Sequence, residues 1–188
     1  MKEISIIVAG FGGQGILFLG RLIAYGGMIE QKEVTCFPSY GAEMRGGTAN
    51  CTVILSDSMI GSPIVRNPDM LIAMNEASLK RFQPGVRKDG LLLYDSSFIK
   101  SPELRTDIFS ISIPASEIAA SLSASRIKPA NMVMFGAMIA HTGAISEENA
   151  LIALERLTSQ KRKDDIGLNR DAIRRGIMFI EDKKSKDS

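Results

Sequence analysis

Gly10-Phe11-Gly12-Gly13-Gln14-Gly15 is the segment whose residue types and spacing most directly suggest a ligand. In a Gly-x-Gly-x-x-Gly turn the backbone is bare enough for a phosphate to approach, and the helix that follows presents unpaired N–H groups to an anion. Gln14, at the helix start, adds a side-chain donor. A site of the NAD type also requires an acidic residue at the end of the second strand to hold the ribose. Here that strand ends Cys36-Phe37-Pro38, with Glu33 at its start instead, which counts against a dinucleotide. Two readings stay open for the turn. It is an anion or phosphate site without the ribose acid, or its glycines serve only close strand-to-helix packing.

A second polar, glycine-bearing segment runs Pro38-Ser39-Tyr40-Gly41-Ala42-Glu43-Met44-Arg45-Gly46-Gly47-Thr48. It is longer than a minimal connection, as functional loops often are. The Arg45 guanidinium can grip a carboxylate or phosphate through two parallel hydrogen bonds, and glycines and hydroxyls flank it. Ligands of parallel sheets gather outside the carboxyl ends of the strands, so this loop and the first turn are expected on one edge. A local ion pair between Glu43 and Arg45 on a surface loop is the alternative. The candidate binding residues are Gly12, Gly13, Gln14, Gly15, Ser39, Tyr40, Arg45 and Gly46; no residue is assigned a catalytic role.

The rest of the chain offers little independent chemistry. His141, the single histidine, falls in an apolar segment and reads as a core or helix-end residue. Neither a Ser/His/Asp nor a Cys/His set, a metal-ligand spacing or a Lys-Ser/Thr after the glycines can be assembled. Glu147-Glu148 and Asp164-Asp165 read as helix-start charge or a solvated turn. Cys36 and Cys51 do not form a Cys-x-x-Cys pair and read as buried strand thiols, not as a disulfide framework or as ligands of a cluster or zinc held by this chain alone. With 23 basic and 21 acidic residues, the charge is too balanced for a nucleic-acid binder. No apolar run approaches the roughly 20 residues that cross a bilayer, and Ile4 to Ala9 lacks a secretory pattern, so a cytoplasmic location is expected.

The elements that must position these residues follow from periodicity. Ile4–Ala9 is a nearly continuous β-branched run suited to a strand covered on both faces. Helical spacing begins at Ile16 and is expected to stop at Gly26-Gly27. Glu33–Phe37, ended by Pro38, and Thr48–Leu55 read as strands. Met70–Met74, Ala77–Phe82 and Gly90–Tyr94 form a β-α-β unit, and Ile108–Ile113 gives another strand. A small-residue helix around Glu117–Ser123 follows, then Met132–His141, apolar on all sides and therefore buried. Ser146 caps a helix over Glu147–Leu157, and Asn169 is expected to cap a last helix through Ile180. Gln160–Gly167 reads as a mobile connection, and Lys183–Ser188 as a flexible tail. The alternation implies a single α/β domain over residues 1–182, three-layer α/β/α around a mostly parallel or mixed sheet.

Taken together, the glycine turn, the Ser39–Thr48 loop, Ser62-Pro63 before Pro68-Asp69, Ala73-Met74-Asn75 and Asn131-Met132-Val133 resemble the γ subunit family of 2-oxoacid:ferredoxin oxidoreductases. The loop is the most specific of them, and with the Met-Asn step it looks most like the 2-oxoglutarate branch; the pyruvate, 2-oxoisovalerate and indolepyruvate branches stay open. The resemblance implies oxidative decarboxylation of a 2-oxoacid to an acyl-CoA, with electrons passed through iron–sulfur clusters to ferredoxin. It places thiamine diphosphate and the clusters on other subunits, and implies a γ chain that packs against them and contributes to the coenzyme A site. A non-catalytic assembly subunit and a free-standing nucleotide-binding oxidoreductase are the rival readings.

Overall fold

The computed structural model describes residues 3–40, 48–122, 128–158 and 165–187. In chain order the elements are β1 (Glu3–Phe11), α1 (Ile16–Ile29), β2 (Glu33–Tyr40), β3 (Thr48–Ser56), β4 (Met70–Ala73), α2 (Glu76–Phe82), β5 (Leu91–Asp95) and β6 (Phe109–Ile113), then α3 (Ala115–Leu122), α4 (Ala130–Thr142), α5 (Glu147–Leu157) and α6 (Asp165–Asp187). The strands form one sheet in the order β2-β3-β1-β4-β5-β6. β4, β5 and β6 run parallel to β1, and β3 alone is reversed, pairing antiparallel with both β1 and β2.

Both faces of the sheet are covered, as the unbroken apolar runs require. On one face Ile6, Val8, Val53, Ile72 and Leu93 pack with α1, α3, α4, α5 and α6. On the other, Ile7, Ala9, Leu71, Leu92 and Tyr94 meet Leu79 of α2 with Val86, Ile99 and Ile108. The layers are therefore α/β/α but unequal, with α2 the single α-helix of the described residues on the second face.

Several boundaries differ from those the sequence suggests. Gly26-Gly27 does not stop α1, which continues to Ile29. A Cβ on Gly26 would lie 3.0 Å from the Ile145 side chain and one on Gly27 3.2 Å from Val34, so these glycines seat the helix closely. The helix stops instead at Gln31, whose φ of 59° is left-handed, while Lys32 N–H reaches back to the Gly27 carbonyl at 3.0 Å. Pro38 does not end β2; the strand lies at the sheet edge, where a missing N–H is tolerated, and runs on to Tyr40. Asn169 sits inside α6, not at its start, and α6 carries through the expected tail to Asp187, with Lys184 Nζ donating to the Ala140 carbonyl at 2.9 Å. Cys36 is exposed, not buried. Of the expected mobile connection Gln160–Gly167, residues 165–167 instead begin α6, and residues 160–164 lie outside the described residues. Among the described residues no helix is long and apolar enough to cross a membrane.

Candidate functional site

The turn after β1 is fixed by its own backbone. Gln14 N–H donates to the Phe11 carbonyl at 3.1 Å, and Gly13, third of the four turn residues, has φ 101°. That positive φ is what a type II turn demands, and glycine supplies it without strain. Gly15 follows at φ 73° as the N-cap of α1, leaving the start of that helix without a side-chain cap. A Cβ on Gly15 would crowd the Asn131 amide, its Cγ only 2.9 Å away.

Gln14 holds the turn against two other parts of the chain. Its Oε1 accepts from Phe11 N–H at 2.7 Å and from Asn75 Nδ2 at 3.0 Å, and its Nε2 donates to the Met74 carbonyl at 3.1 Å. Asn75 is 5% exposed and also caps α2, accepting from Ser78 N–H at 2.8 Å. Asn131, at the start of α4, donates to the Gly15 carbonyl at 3.2 Å. Three segments set apart in sequence, the glycine turn, Met74-Asn75 and Asn131, thus meet at one point.

Beside that point lies a cleft of about 830 Å³ lined by Gly13–Gly15, Phe18, Met74, Phe98, Ser116, the start of α4 from Lys128 to Met132, the end of α5 and the start of α6. Its volume is that of a ligand site. Ser116 is held there by buried Asp95, which accepts from its hydroxyl at 2.5 Å and from its N–H at 3.3 Å. Both α1 and α4 point N-termini without side-chain caps toward the cleft. Helix N-termini favour negative charge, and Lys128 adds a cation, so one wall suits an anion; Phe18, Phe98 and Met74 supply an apolar wall.

The expected residues divide. Gly13, Gln14 and Gly15 line the cleft, whereas Gly12 lies in the exposed turn outside it. Gln14 commits its amide oxygen and one N–H to the protein, so it shapes the turn as well as offering its remaining N–H. Ser39 pairs with Asn50 near the end of β2 and is not on the cleft wall, and Tyr40 is placed by its backbone pairing with Ala49. Arg45 and Gly46 lie outside the described residues. Thr48, the first described residue after them, nevertheless lies at the turn's edge of the sheet, pairing with Phe11 and accepting from Arg81 at its hydroxyl at 3.1 Å. His141 sits in the last turn of α4, at the end away from the cleft. Lys128, Ser116 and Asn169 were not among the candidates; nothing in their local sequence marks them, because the fold alone brings them to the turn.

Residues 5–179 match the family described as pyruvate ferredoxin/flavodoxin oxidoreductase. The ketoisovalerate oxidoreductase subunit VorA of Methanothermobacter marburgensis is 41% identical over 142 residues, which is 74% of this chain but 28% of that protein. The 2-oxoglutarate synthase subunit KorC of Methanocaldococcus jannaschii is 31% identical over 150 residues, 79% of each chain. Among solved structures, the γ subunit of a keto/oxoacid ferredoxin oxidoreductase from Geobacter sulfurreducens superposes with a TM-score of 0.81 at 27% identity, covering 95% of this chain and 96% of that one. A 2-oxoglutarate:ferredoxin oxidoreductase from Magnetococcus marinus, solved with 2-oxoglutarate, coenzyme A and succinyl-CoA, gives 0.86 at 25% identity, covering 96% of this chain and 31% of that one.

Proposed function

We propose, since the chain belongs to the pyruvate ferredoxin/flavodoxin oxidoreductase family, that it is the γ subunit of a 2-oxoacid:ferredoxin oxidoreductase and that its cleft receives part of coenzyme A. The complex oxidatively decarboxylates a 2-oxoacid to the acyl-CoA and passes the electrons to ferredoxin. Thiamine diphosphate and the iron–sulfur clusters are held by its other subunits. The convergence of Gly13–Gly15 with Lys128–Asn131 on one cleft carries this reading. CoA, when bound, supplies the thiol that accepts the acyl group.

The residues present fit such a ligand. Two helix N-termini without side-chain caps and the Lys128 ammonium suit phosphate oxygens, while Phe18, Phe98 and Met74 suit the apolar portions of the molecule. Gln14 and Asn131 hold the turn's backbone, at the Phe11 N–H and the Gly15 carbonyl, and Asn75 fixes the Gln14 side chain. Arg45, in the segment that leads to Thr48 at the same edge, adds a bidentate donor.

2-Oxoglutarate is the first choice of substrate, because the KorC relatives match this chain over most of their own length. A branched 2-oxoacid is the second reading, favoured by the 41% identity to VorA. The chain spans little more than a quarter of that relative, and the substrate pocket lies on other subunits.

Coexpression with those subunits tests the proposal. The chain is expected to copurify with them as a complex that reduces ferredoxin only when a 2-oxoacid and CoA are both present. Lys128→Ala and Arg45→Ala should each raise the apparent KM for CoA about tenfold, the effect of one lost charged hydrogen bond, without changing assembly. An unchanged KM in an intact complex removes CoA from this cleft. Failure to copurify removes the subunit reading altogether.

A further inference from the structure

The two cysteines, the whole complement of the chain, touch. Cys36 on β2 pairs in register with Val53, and Cys51 on β3 pairs with Pro38. Because Cys51 and Val53 are two residues apart, the thiols point to the same face as a diagonal cross-strand pair. Their sulfurs lie 3.5 Å apart. Cys36 is exposed on the edge strand, whereas Cys51 is 1% exposed beneath α1. Gly20 of α1 gives that thiol its room, since a Cβ there would stand 2.8 Å from the Cys51 Cβ.

We propose that Cys36 and Cys51 are a thiol–disulfide couple, in which a hydroperoxide oxidises Cys36 and Cys51 resolves it. The Cys36 thiolate attacks the distal peroxide oxygen; the O–O bond breaks, the alkoxide or hydroxide takes a proton, and Cys36 becomes a sulfenic acid. Cys51 sulfur then attacks the Cys36 sulfur: S–S forms, the Cys36 S–O bond breaks, and the departing hydroxide takes the Cys51 proton and leaves as water. In sum, two thiols and one hydroperoxide give one disulfide, one alcohol or water and one further water, with two electrons moving to the peroxide.

Position assigns the two roles. Only Cys36 is open to an oxidant, and only Cys51 is near enough to resolve it, so no other thiol of the chain competes. The hydrogen bond between the two thiols holds the Cys36 thiol down at about 7, and the Arg21 charge acts in the same direction against burial. That hydrogen bond and burial push Cys51 up. Closing the sulfurs to bonding distance is eased by the place of β2, which is held by β3 on one side only and lacks an N–H at Pro38. The bridge would tie β2 to β3, the strands on either side of residues 41–47.

The test uses the full chain, reduced and then treated with stoichiometric hydrogen peroxide near neutral pH. The wild type is expected to lose two hydrogens in mass and both maleimide-reactive thiols, to yield a linked Cys36–Cys51 peptide, and to recover both thiols with dithiothreitol. Cys51→Ala should instead accumulate a dimedone-trapped sulfenic acid at Cys36, and Cys36→Ser should leave Cys51 unmodified. Retention of both thiols, a disulfide between chains, or over-oxidation of Cys36 with Cys51 still free overturns the proposal. Should Cys51→Ala fail to fold, the wild-type peptide map decides alone.

Discussion

Gly136 of α4 and Gly176 of α6 face each other's backbones where the two helices cross. A Cβ on Gly136 would overlap the Ile173 carbonyl, its carbon 2.8 Å away, and one on Gly176 would overlap the Val133 carbonyl and lie 2.8 Å from the Ala137 nitrogen. Rotation of a side chain cannot relieve either clash, because backbone forms the obstacle in both. Gly176→Ala must separate the helices and loosen Val133, Ala137, Ala172 and Ile173, all fully buried. Overpacking of this kind costs about 3 kcal/mol, at the upper end of its range for a rigid neighbour. Alanine returns about 1 kcal/mol through its better helix propensity, so the net loss is about 2 kcal/mol. In a domain of this size that lowers Tm by roughly 4–8 °C. Calorimetry of the full chain measures it, with Gly167→Ala as the control, since that Cβ meets nothing within 4 Å. The control should hold or gain stability. A Gly176→Ala variant as stable as the wild type would refute the close-crossing argument. The functional stake is the cleft, because the starts of both helices line it.

Three other outcomes are expected. Asn75→Ala removes the α2 cap and one donor to Gln14, and should cost about 1–2 kcal/mol by denaturant titration; Asn75→Asp, keeping the cap but losing the donor, should recover part of it. Glu30 accepts the Ser146 N–H and hydroxyl, each at 2.7 Å, and the backbone bond above all holds its carboxyl below the usual range. A depressed carboxylate stabilises the fold above its unfolded value near 4.5 and loses that contribution as pH falls through the lower folded value. Acid titration of Glu30→Gln should accordingly show a flatter stability profile below that pH than the wild type. Cys36 alkylation should rise with a midpoint at about pH 7, more than a unit below a free thiol at about 8.5, and shift upward in Cys51→Ala; a wild-type midpoint at the free-thiol value would contradict the S–H···S bond.

The central sheet was legible because its strands are short apolar runs bounded by breakers, as at Thr48 and Leu91. Sequence failed where one residue type serves two purposes. Gly26-Gly27 reads as a stop signal, yet the space beneath Ile145 and Leu55 requires them inside the helix. Pro38 reads as a strand end, but an edge strand carries it without losing a needed donor. Within the site, the glycine turn could be read from spacing alone, whereas the hold of Asn75 on Gln14 and of Asn131 on the Gly15 carbonyl depends on contacts across most of the chain. Lys128 carried no local mark at all, since its value comes from the end of α4 to which the fold delivers it.

The place of β1 in the sheet also governs how the chain can fold. β1 precedes every strand it pairs with, yet it lies between β3 and β4. Its β3 edge can be satisfied once residues 48–56 are available, as part of a local three-strand unit in which β3 inserts between β1 and β2, with α1 laid across it. Its other edge stays open until β4 arrives, and then grows strand by strand to β6. The slow, aggregation-exposed stage is therefore the addition of the parallel half, after the glycine turn's strand is already anchored on one side.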